Sequence, residues 1–450
     1  LVASVFGVPL VVAVLLPLAV LGLPVLLVTS DGGRRIARLD AISEWTRNLA
    51  SVITAGQSLE QAVTASVRST PEAVRPQVTN LVARLRSRWP TEAALLEFAD
   101  ELDDATGDLV APPLVDPHFH MDATLSYGLP RVNASGTLLE GISLWGELRE
   151  IATVEEMVAR AVRYCDWAVS MGLLAIRTHV DTTPDHLRGV EAMLEVKRRV
   201  APYLDLQLVA FPQDGLYRAP NGRENLIRAL DMGCDVVGGI PHFERTMQDG
   251  ADSVKDMARL AAERGLMLDI HCDETDDPHS RHVETMAAEV TRHGLGARAA
   301  GSHLTSMHSM DNYYVSKLLP LIAESGMTAI PNPLINITLQ GRHDSYPKRR
   351  GLTRVKEMQA MGITVGWGQD CVLDPWYSLG TGDMLDVAFM GLHVAQMTHP
   401  AEMARCFTMV TENNAAIMGL QGYGLRPGCV ASLIVLDAGN PVEALRLRPD

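Results

Sequence analysis

The sequence predicts an α/β protein whose largest domain is a parallel (β/α)8 barrel. From about residue 109 onward, short apolar runs alternate with amphipathic stretches such as Val154–Ser170 and Arg223–Met232, and there are eight such runs. Strands that alternate with helical stretches in this way are typical of parallel barrels. The eight runs are Leu114–Val115, Leu173–Val180, Leu204–Phe211, Val236–Ile240, Leu266–Ile270, Ala299–Leu304, Met327–Ile330 and Ile363–Val365.

An uncharged segment opens the chain. Residues 1–28 carry no charged side chain and consist mostly of Leu, Val, Ala and Pro, and this length is sufficient to span a bilayer. Arg34 and Arg35 follow, which favours a cytoplasmic exit because positive residues stay on that side. A signal peptide is less favoured, since no basic segment precedes the apolar run. We therefore predict a transmembrane segment at residues 1–30, with a buried hairpin as the alternative.

Residues 31–108 are predicted to form an all-α domain. Apolar side chains recur at three- and four-residue steps, which places them on one helical face; they include Ile36, Leu39, Ile42, Trp45 and Leu49. The stretches RLDAISEWTRNLASVITAGQSLEQAV and LVARLRSRWPTEAALLEFADELDDATGDLV resemble the cytoplasmic helical domain of type II secretion F and tight-adherence pilus assembly proteins. The resemblance implies a membrane-anchored assembly module, since no catalytic constellation occurs in this part of the sequence.

Composition limits the class of partner. The net charge of −15 disfavours nucleic acid, because phosphates repel an acidic surface, but it is compatible with a small heterocyclic base. The six cysteines include no CxxC pair, which indicates a reduced chain rather than a disulfide framework. We therefore expect a catalytic domain in the cytoplasm and no nucleic-acid partner.

Histidines and carboxylates stand at the ends of four apolar runs. His118 and His120 follow the first run, and because strand side chains alternate, both point the same way and can bind one divalent cation. His271 ends the fifth run, His303 lies in the sixth and Asp370 follows the eighth. Each has a structural explanation when taken alone, but the carboxyl ends of barrel strands meet at one face, where active sites lie. Their joint order predicts one catalytic site with a single metal ion that activates water near neutral pH.

Glu274 lies three residues beyond His271, past the end of the predicted strand. From there it can move protons beside the metal without binding it. The structural alternative is a solvated acidic loop, because Asp273, Asp276 and Asp277 are its neighbours.

Residues 111–450 resemble the bacterial cytosine deaminases of the amidohydrolase superfamily. The resemblance is carried by the blocks PPLVDPHFHMD, SGTLLEGI, IRTHVD, LDLQLVAFPQDG, DVVGGIPHFE, IHCDETDD, SHLTSMHS, NPLINITLQGRHDSYPKRRGLTRVKEM and DPWYSLGTGDML. It implies one bound divalent ion, iron or zinc. The ligands that it implies are His118, His120, His271 and Asp370.

The same resemblance implies roles for further residues. Glu274 would shuttle protons, and His303 would orient the attacking water. Gln213 would hydrogen-bond the edge of the base, Leu138 would offer its backbone carbonyl to the substrate, and Trp376 would wall the ring pocket. The role of Gln213 agrees with its chemistry, because a side-chain amide presents both a donor and an acceptor.

One departure from the family pattern concerns the substrate pocket. The family sequence Gly-His-Asp-Asp is replaced here by Gly368-Gln369-Asp370-Cys371. Cys371 is smaller and less polar than aspartate and is expected to contact the substrate. Bases with an added methyl group, or related rings such as isocytosine and creatinine, therefore become candidate substrates. A nucleophilic role for Cys371 is disfavoured because activated water already fills that role.

A second departure concerns the ends of the barrel domain. The family normally begins with a small β-sandwich before the barrel, where residues 31–108 stand in this chain. We predict the barrel at residues 109–425 and a partial sandwich remnant at residues 426–450, and we expect its unpaired edges to lower stability.

The leading functional prediction is a metal-dependent hydrolytic deaminase that acts on a C–N bond of cytosine or a related aminated heterocycle, as a homo-oligomer of the barrel domain. The alternative is a membrane-anchored secretion or pilus-assembly component that carries an inactive barrel. A hydantoinase-like amide hydrolase ranks lower, because Ile240-Pro241-His242 stands where such enzymes carry a metal-bridging lysine.

Overall fold

A computed structural model describes residues 31–54, 59–106 and 109–449. No helix within those ranges is both long and apolar enough to cross a membrane. The transmembrane segment expected at residues 1–30 lies outside the described residues. Both the membrane anchor and the assembly-module interpretation therefore stay predictions.

The chain divides into two compact units. Leu1–Val110 and Leu425–Ala431 form the first, and Ala111–Gly424 and Ser432–Asp450 form the second. Between residues 31 and 106 the described part of the first unit is helical, with a 3₁₀ turn at Val67–Ser69. Its helices are α1 (Asp31–Thr54), α2 (Leu59–Ser66), α3 (Arg75–Arg86) and α4 (Thr91–Thr106).

The first unit has a small apolar interior. Trp45 of α1 is 5% exposed, and its ring centroid lies 5.5 Å from that of Phe98 in α4. The indole nitrogen of Trp45 donates to Ser66 Oγ at 2.8 Å, so the polar edge of the buried ring is satisfied. Ile42 and Leu49, which share a helical face with Trp45, are buried too. The three- and four-residue periodicity thus marks the packed side of α1.

The second unit contains a parallel sheet whose seven strands neighbour one another in chain order. They are β2 (Leu114–Phe119), β3 (Leu173–Asp181), β4 (Asp205–Phe211), β5 (Val236–Gly239), β6 (Met267–His271), β7 (Ala299–Ser302) and β8 (Thr328–Ile330). The strands β1 (Leu109–Ala111) and β9 (Ile434–Leu436) lie outside this sheet.

Helices follow the strands, as parallel pairing requires crossover connections. They are α5 (Leu138–Ile151), α6 (Val154–Ser170), α7 (Arg188–Val200), α8 (Gly222–Met232), α9 (Met247–Arg264), α10 (His282–His293), α11 (Ser306–Ser309), α12 (Asn312–Ser325), α13 (Pro333–Leu339), α14 (Val355–Ala360), α15 (Met384–Val394), α16 (Pro400–Thr408), α17 (Glu412–Met418) and α18 (Pro441–Leu447). Two 3₁₀ turns occur at Pro241–Phe243 and Gly296–Arg298.

Segment 364–370 closes the barrel in place of a regular eighth strand. It forms single bridges to Ala329 of β8 on one side and to Phe119 of β2 on the other. Between these bridges the backbone N–H of Trp367 donates to Met409 O at 2.9 Å, so it is diverted from a strand ladder. The expectation of eight regular strands is therefore wrong at the last one, although the barrel character is confirmed.

The carboxyl-terminal residues do not support the expected sandwich remnant. Described residues 426–449 contain the three-residue strand β9 and helix α18. The local sequence favours this helix, because Asn440 accepts hydrogen bonds from the N–H groups of Val442 and Glu443 and Pro441 takes the first turn. The lowered stability that we expected from unpaired sandwich edges loses its basis.

Candidate active site

The two histidines of the first barrel strand face the barrel interior. Phe119 lies between His118 and His120, and its ring stacks on Tyr164 of α6 with centroids 4.3 Å apart. Because side chains alternate along a strand, this packing of Phe119 directs both histidines to the opposite side. His118 is fully buried and His120 is 8% exposed.

Asp370 lies between these imidazoles. Its Oδ1 is 3.2 Å from His118 Nε2 and 3.3 Å from His120 Nε2, and His120 Nε2 is 3.2 Å from His271 Nε2. Burial raises the pKa of Asp370, but the neighbouring imidazoles of His303, His118 and His120 hold this pKa well below its usual value. Each predicted metal ligand therefore contacts another one, and the carboxylate among them is ionised.

Among the residues that the structure describes, two sets of three side chains have ligand atoms within 4.8 Å of one another and could hold a metal ion. One set is His118, His179 and His271, and the other is His118, His303 and Asp370. His179, at the carboxyl end of β3, was not predicted as a site residue. Its ring centroid lies 4.2 Å from that of His118. The ligand set read from the resemblance stays a prediction, with His179 as a further candidate.

Hydrogen bonding orients the ring of His118 so that its acceptor atom, Nε2, faces an acceptor oxygen of Asp370. Asp269 is buried, yet its neighbours hold its pKa below the usual value, and it accepts from Arg177 at 3.0 Å and from Ser302 Oγ at 2.6 Å. Ser302 thereby accepts from His118 Nδ1 at 2.9 Å, which leaves a lone pair on His118 Nε2. That lone pair and Asp370 Oδ1 repel each other unless a cation lies between them. The donor set therefore fits a divalent ion such as iron or zinc.

Glu274 and His303 lie next to each other in the site. Glu274 Oε1 lies 3.5 Å from His303 Nδ1. Burial, and then the negative charge of Asp370, raises the pKa of Glu274 well above its usual value, so this carboxyl keeps its proton where an exposed glutamate is ionised. The amides of Asn336 and Asn332 lie 3.0 and 3.3 Å from His303 Nδ1 and fix this ring. Glu274 is suited to general acid–base chemistry.

His303 and Asp370 share an unusual backbone conformation. Their φ angles are +66° and +70°, in the left-handed region. For a residue with a Cβ this conformation costs about 1–2 kcal/mol. Such strain is concentrated at functional sites, where the surrounding fold enforces it.

A cavity that encloses about 310 Å³ of empty space, part of it open to solvent, brings together most of the predicted site residues. Its wall contains every residue that we expected to contact the substrate, namely Leu138, Gln213, Cys371 and Trp376. It also contains four residues expected to bind metal or move protons, namely His120, His271, Glu274 and Asp370. The remaining wall is apolar and consists of Ile240, Ile335 and Leu339. Polar groups that converge in an apolar pocket are typical of small-molecule sites.

Gln213 and Cys371 differ in what they offer to a ligand. Gln213 is 4% exposed, and within the described ranges its side-chain amide has no hydrogen-bond partner, so it is free to pair with a ligand. Burial, and then the charge of Asp370, raises the pKa of the Cys371 thiol well above its usual value. The protonated thiol is a poor nucleophile, which agrees with a role for Cys371 as a pocket wall.

The close packing of Trp376 on α5 yields a testable prediction. A Cβ added at Gly141 would lie 2.3 Å from Trp376 Cδ1 and 2.7 Å from its Nε1, which is too short for a rigid ring to accept. Gly141→Ala is therefore expected to displace this ring and raise KM by about tenfold, with a smaller effect on kcat. Steady-state kinetics measures both constants.

Gly146 provides the matched control in the same helix. No atom lies within 4 Å of a Cβ built at Gly146. Gly146→Ala should leave KM unchanged and stabilise the chain by about 0.5–1 kcal/mol, because alanine favours helix over glycine. Equal KM values for the two variants would contradict the assigned role of Trp376.

Known proteins are similar to this chain over the barrel unit. Residues 101–450 match the model of the amidohydrolase family. The structure of 5-methylcytosine deaminase from Klebsiella pneumoniae liganded with 5-fluorocytosine is 46% identical, with a TM-score of 0.75, over 76% of this chain and 83% of that one. N-isopropylammelide isopropyl amidohydrolase from Pseudomonas sp. (strain ADP) is 27% identical over 77% of this chain and 84% of its own. Pterin deaminase from Rhizobium rhizogenes is 27% identical over 76% and 78%.

Proposed function

The chain belongs to the amidohydrolase family, and on this premise we propose that it hydrolytically deaminates an aminated pyrimidine, with 5-methylcytosine and cytosine as its substrates. The observation that carries the proposal is the shared cavity, whose wall includes Gln213, Glu274 and Asp370. A base bound there is in reach of a hydrogen-bonding edge and of an acid–base group. The 46% identity to a 5-methylcytosine deaminase supports the choice of pyrimidine.

The chemistry that this cavity supports is addition of water followed by loss of ammonia. A divalent ion, when bound by the histidines and Asp370, supplies hydroxide from water near neutral pH. Glu274 protonates the ring nitrogen as water adds to the amino-bearing carbon. It then takes the proton from the newly added hydroxyl group and gives it to the amino group, so that the C–N bond breaks and ammonia leaves. His303 holds the water in line with that carbon, and Gln213 pairs with the opposite edge of the base. Water and the base give ammonia and the corresponding oxo-pyrimidine.

The proposal is tested with the metal-replete full chain by measuring the release of ammonia or, from N-isopropylammelide, of isopropylamine. Cytosine, 5-methylcytosine, isocytosine and creatinine form one panel, and N-isopropylammelide and pterin, which correspond to the two curated relatives, form another. Turnover of the two cytosines above all other compounds is expected. Absence of turnover across both panels, or a preference for the second panel, contradicts the proposal.

Cys371 gives a prediction on substrate preference. Cys371→Asp replaces a buried thiol in the cavity wall by a larger polar group next to Asp370. This change is expected to reduce kcat/KM for 5-methylcytosine relative to cytosine by about 10- to 200-fold, the range for one methyl group in a pocket. Cys371→Asn tests whether size or charge is responsible, because it has nearly the same shape without the charge. An unchanged ratio of the two kcat/KM values in both variants means that Cys371 does not contact the methyl group.

A further inference from the structure

We propose that Arg149 is a positioning residue for substrate binding, because it clamps helix α5 to the loop that carries Gln213. The inference rests on the proposed function, since it concerns the same pyrimidine. α5 begins with Leu138, which lies in the cavity wall. Gln213 lies in the same wall and follows the end of strand β4. Two wall elements on separate parts of the chain hold a flat ring only if they keep their mutual position.

Arg149 joins three segments through one guanidinium group. From α5, its Nη1 donates to Asp181 Oδ2 of β3 at 2.7 Å, and its Nη2 donates to Asp214 Oδ2, next to Gln213. The side chains of Arg149 and Asp181 are 13% and 4% exposed, so water screens their ion pair only weakly. The planar guanidinium has enough donors in a fixed geometry to serve two carboxylates.

Hydrogen bonds on the far side of Asp181 make the attachment rigid. Asp181 Oδ1 accepts from Thr183 N at 2.8 Å, and Thr183 Oγ1 accepts from Asp214 N at 3.1 Å. The backbone beside Gln213 is therefore tied to the same β3 end that Arg149 contacts. Asp214 is held at both its backbone and its side chain.

Trp145 connects this clamp to the aromatic part of the cavity wall. One turn before Arg149 on α5, Trp145 donates through Nε1 to Asp181 Oδ2 at 2.8 Å. Its ring centroid is 6.3 Å from that of Trp376, the aromatic residue of the cavity wall. Asp181 thus receives two hydrogen bonds from α5, and displacement of this helix would move Leu138 and Trp376 together.

Arg149, Asp181 and Asp214 are absent from the cavity wall. Along α5, Arg149 lies eleven residues beyond Leu138, which is about 16 Å of helix. A role for Arg149 in substrate binding therefore acts through position and not through contact. If α5 and the loop that carries Gln213 lose their mutual position, we expect substrate binding to weaken more than proton transfer does.

Asp214→Ala is the sharpest test. Asp214 is 28% exposed, and its removal leaves Arg149 paired with Asp181, so the fold keeps its buried ion pair. The expected result is a KM for 5-methylcytosine raised by about tenfold, with kcat within about threefold and metal content unchanged. The matched control is Asp231→Ala, which breaks the surface ion pair with Arg264 and should leave KM unaltered.

Variants of Arg149 test the other end of the clamp. Arg149→Lys keeps the charge, but its single ammonium group cannot reproduce the two-carboxylate geometry, so a smaller rise in KM is expected. In the double variant of Arg149→Lys with Asp214→Ala, the KM effects should be less than multiplicative, because both changes disrupt one contact. Phosphonocytosine, which is bound in another structure of the 5-methylcytosine deaminase from Klebsiella pneumoniae, serves as a binding probe. Should Arg149→Lys fold poorly, the KM of Asp214→Ala and the dissociation constant of phosphonocytosine for that variant still decide the question.

The outcomes separate the clamp from the proposed function. If the wild type turns over substrate and Asp214→Ala has the same KM and the same affinity for phosphonocytosine as the wild type, the clamp alone is overturned. A fall in kcat without a rise in KM overturns it too, because that pattern belongs to a group that takes part in the chemistry. A wild-type chain that neither binds phosphonocytosine nor deaminates either cytosine overturns the proposed function, and the positioning role falls with it.

Discussion

Glu274→Gln is expected to lower kcat for pyrimidine deamination by roughly 10²–10⁴-fold, the range for loss of a positioned general acid–base group. Glutamine keeps the size of the side chain, but it can neither release nor take up a proton at this position. Glu274 is 5% exposed and lies in the cavity wall, so groups on the protein surface cannot readily take over its proton transfer. KM and metal content should change little, because the change removes proton transfer rather than binding.

Glu263→Gln is the matched control for this experiment. Glu263 lies exposed on α9 of the same unit. Its replacement should leave kcat at the wild-type value, and elemental analysis should find equal metal in both variants. A Glu274→Gln enzyme that retains kcat within about tenfold of wild type would show that another group moves the protons.

His271→Ala is expected to remove both the metal and the deaminase activity. The Nε2 atom of His271 lies 3.2 Å from His120 Nε2, and burial and neighbouring imidazoles hold the pKa of His271 well below its usual value, so its ring is uncharged and able to bind a metal ion. Loss of one of a few ligands leaves too few donors to compete with chelators. Elemental analysis and ammonia release measure the two consequences. In the wild type, a strong chelator should abolish ammonia release and added divalent iron or zinc should restore it.

Two further histidine variants sharpen this result. His343 is exposed, and His343→Ala should retain both metal and activity. His179→Ala distinguishes a ligand from a packing residue, because only the loss of a ligand releases the ion. A His271→Ala chain with a full metal complement contradicts the predicted site.

Local rules predict several side chains of the site, and the same rules also indicate two that we did not predict. His118 and His120 follow from strand alternation and His271 from the end of an apolar run. His179 stands in the same kind of position at the end of β3, within the block IRTHVD, and was not predicted as a site residue. Asp269 lies two residues before His271, so the alternation that pairs His118 with His120 also indicated its inward direction.

The irregular closure of the barrel lay beyond local reasoning. A Cβ at Gly366 would lie 1.9 Å from Asn414 Oδ1, and a Cβ at Gly368 would lie 2.1 Å from Asn332 Oδ1. Residues distant in sequence thus demand glycine at both positions and interrupt the eighth strand. The apolar run Ile363–Val365 carries no sign of these contacts, because they involve residues outside it.

The left-handed backbone of His303 and Asp370 has a practical consequence for engineering. Selection for heat resistance alone should favour glycine or asparagine at these two positions, since such residues relax the conformation. Variants enriched in that way would tolerate heating but lose their chemistry. Mutant libraries intended to raise thermal stability should therefore keep both residues unchanged and place stabilising substitutions elsewhere in the barrel.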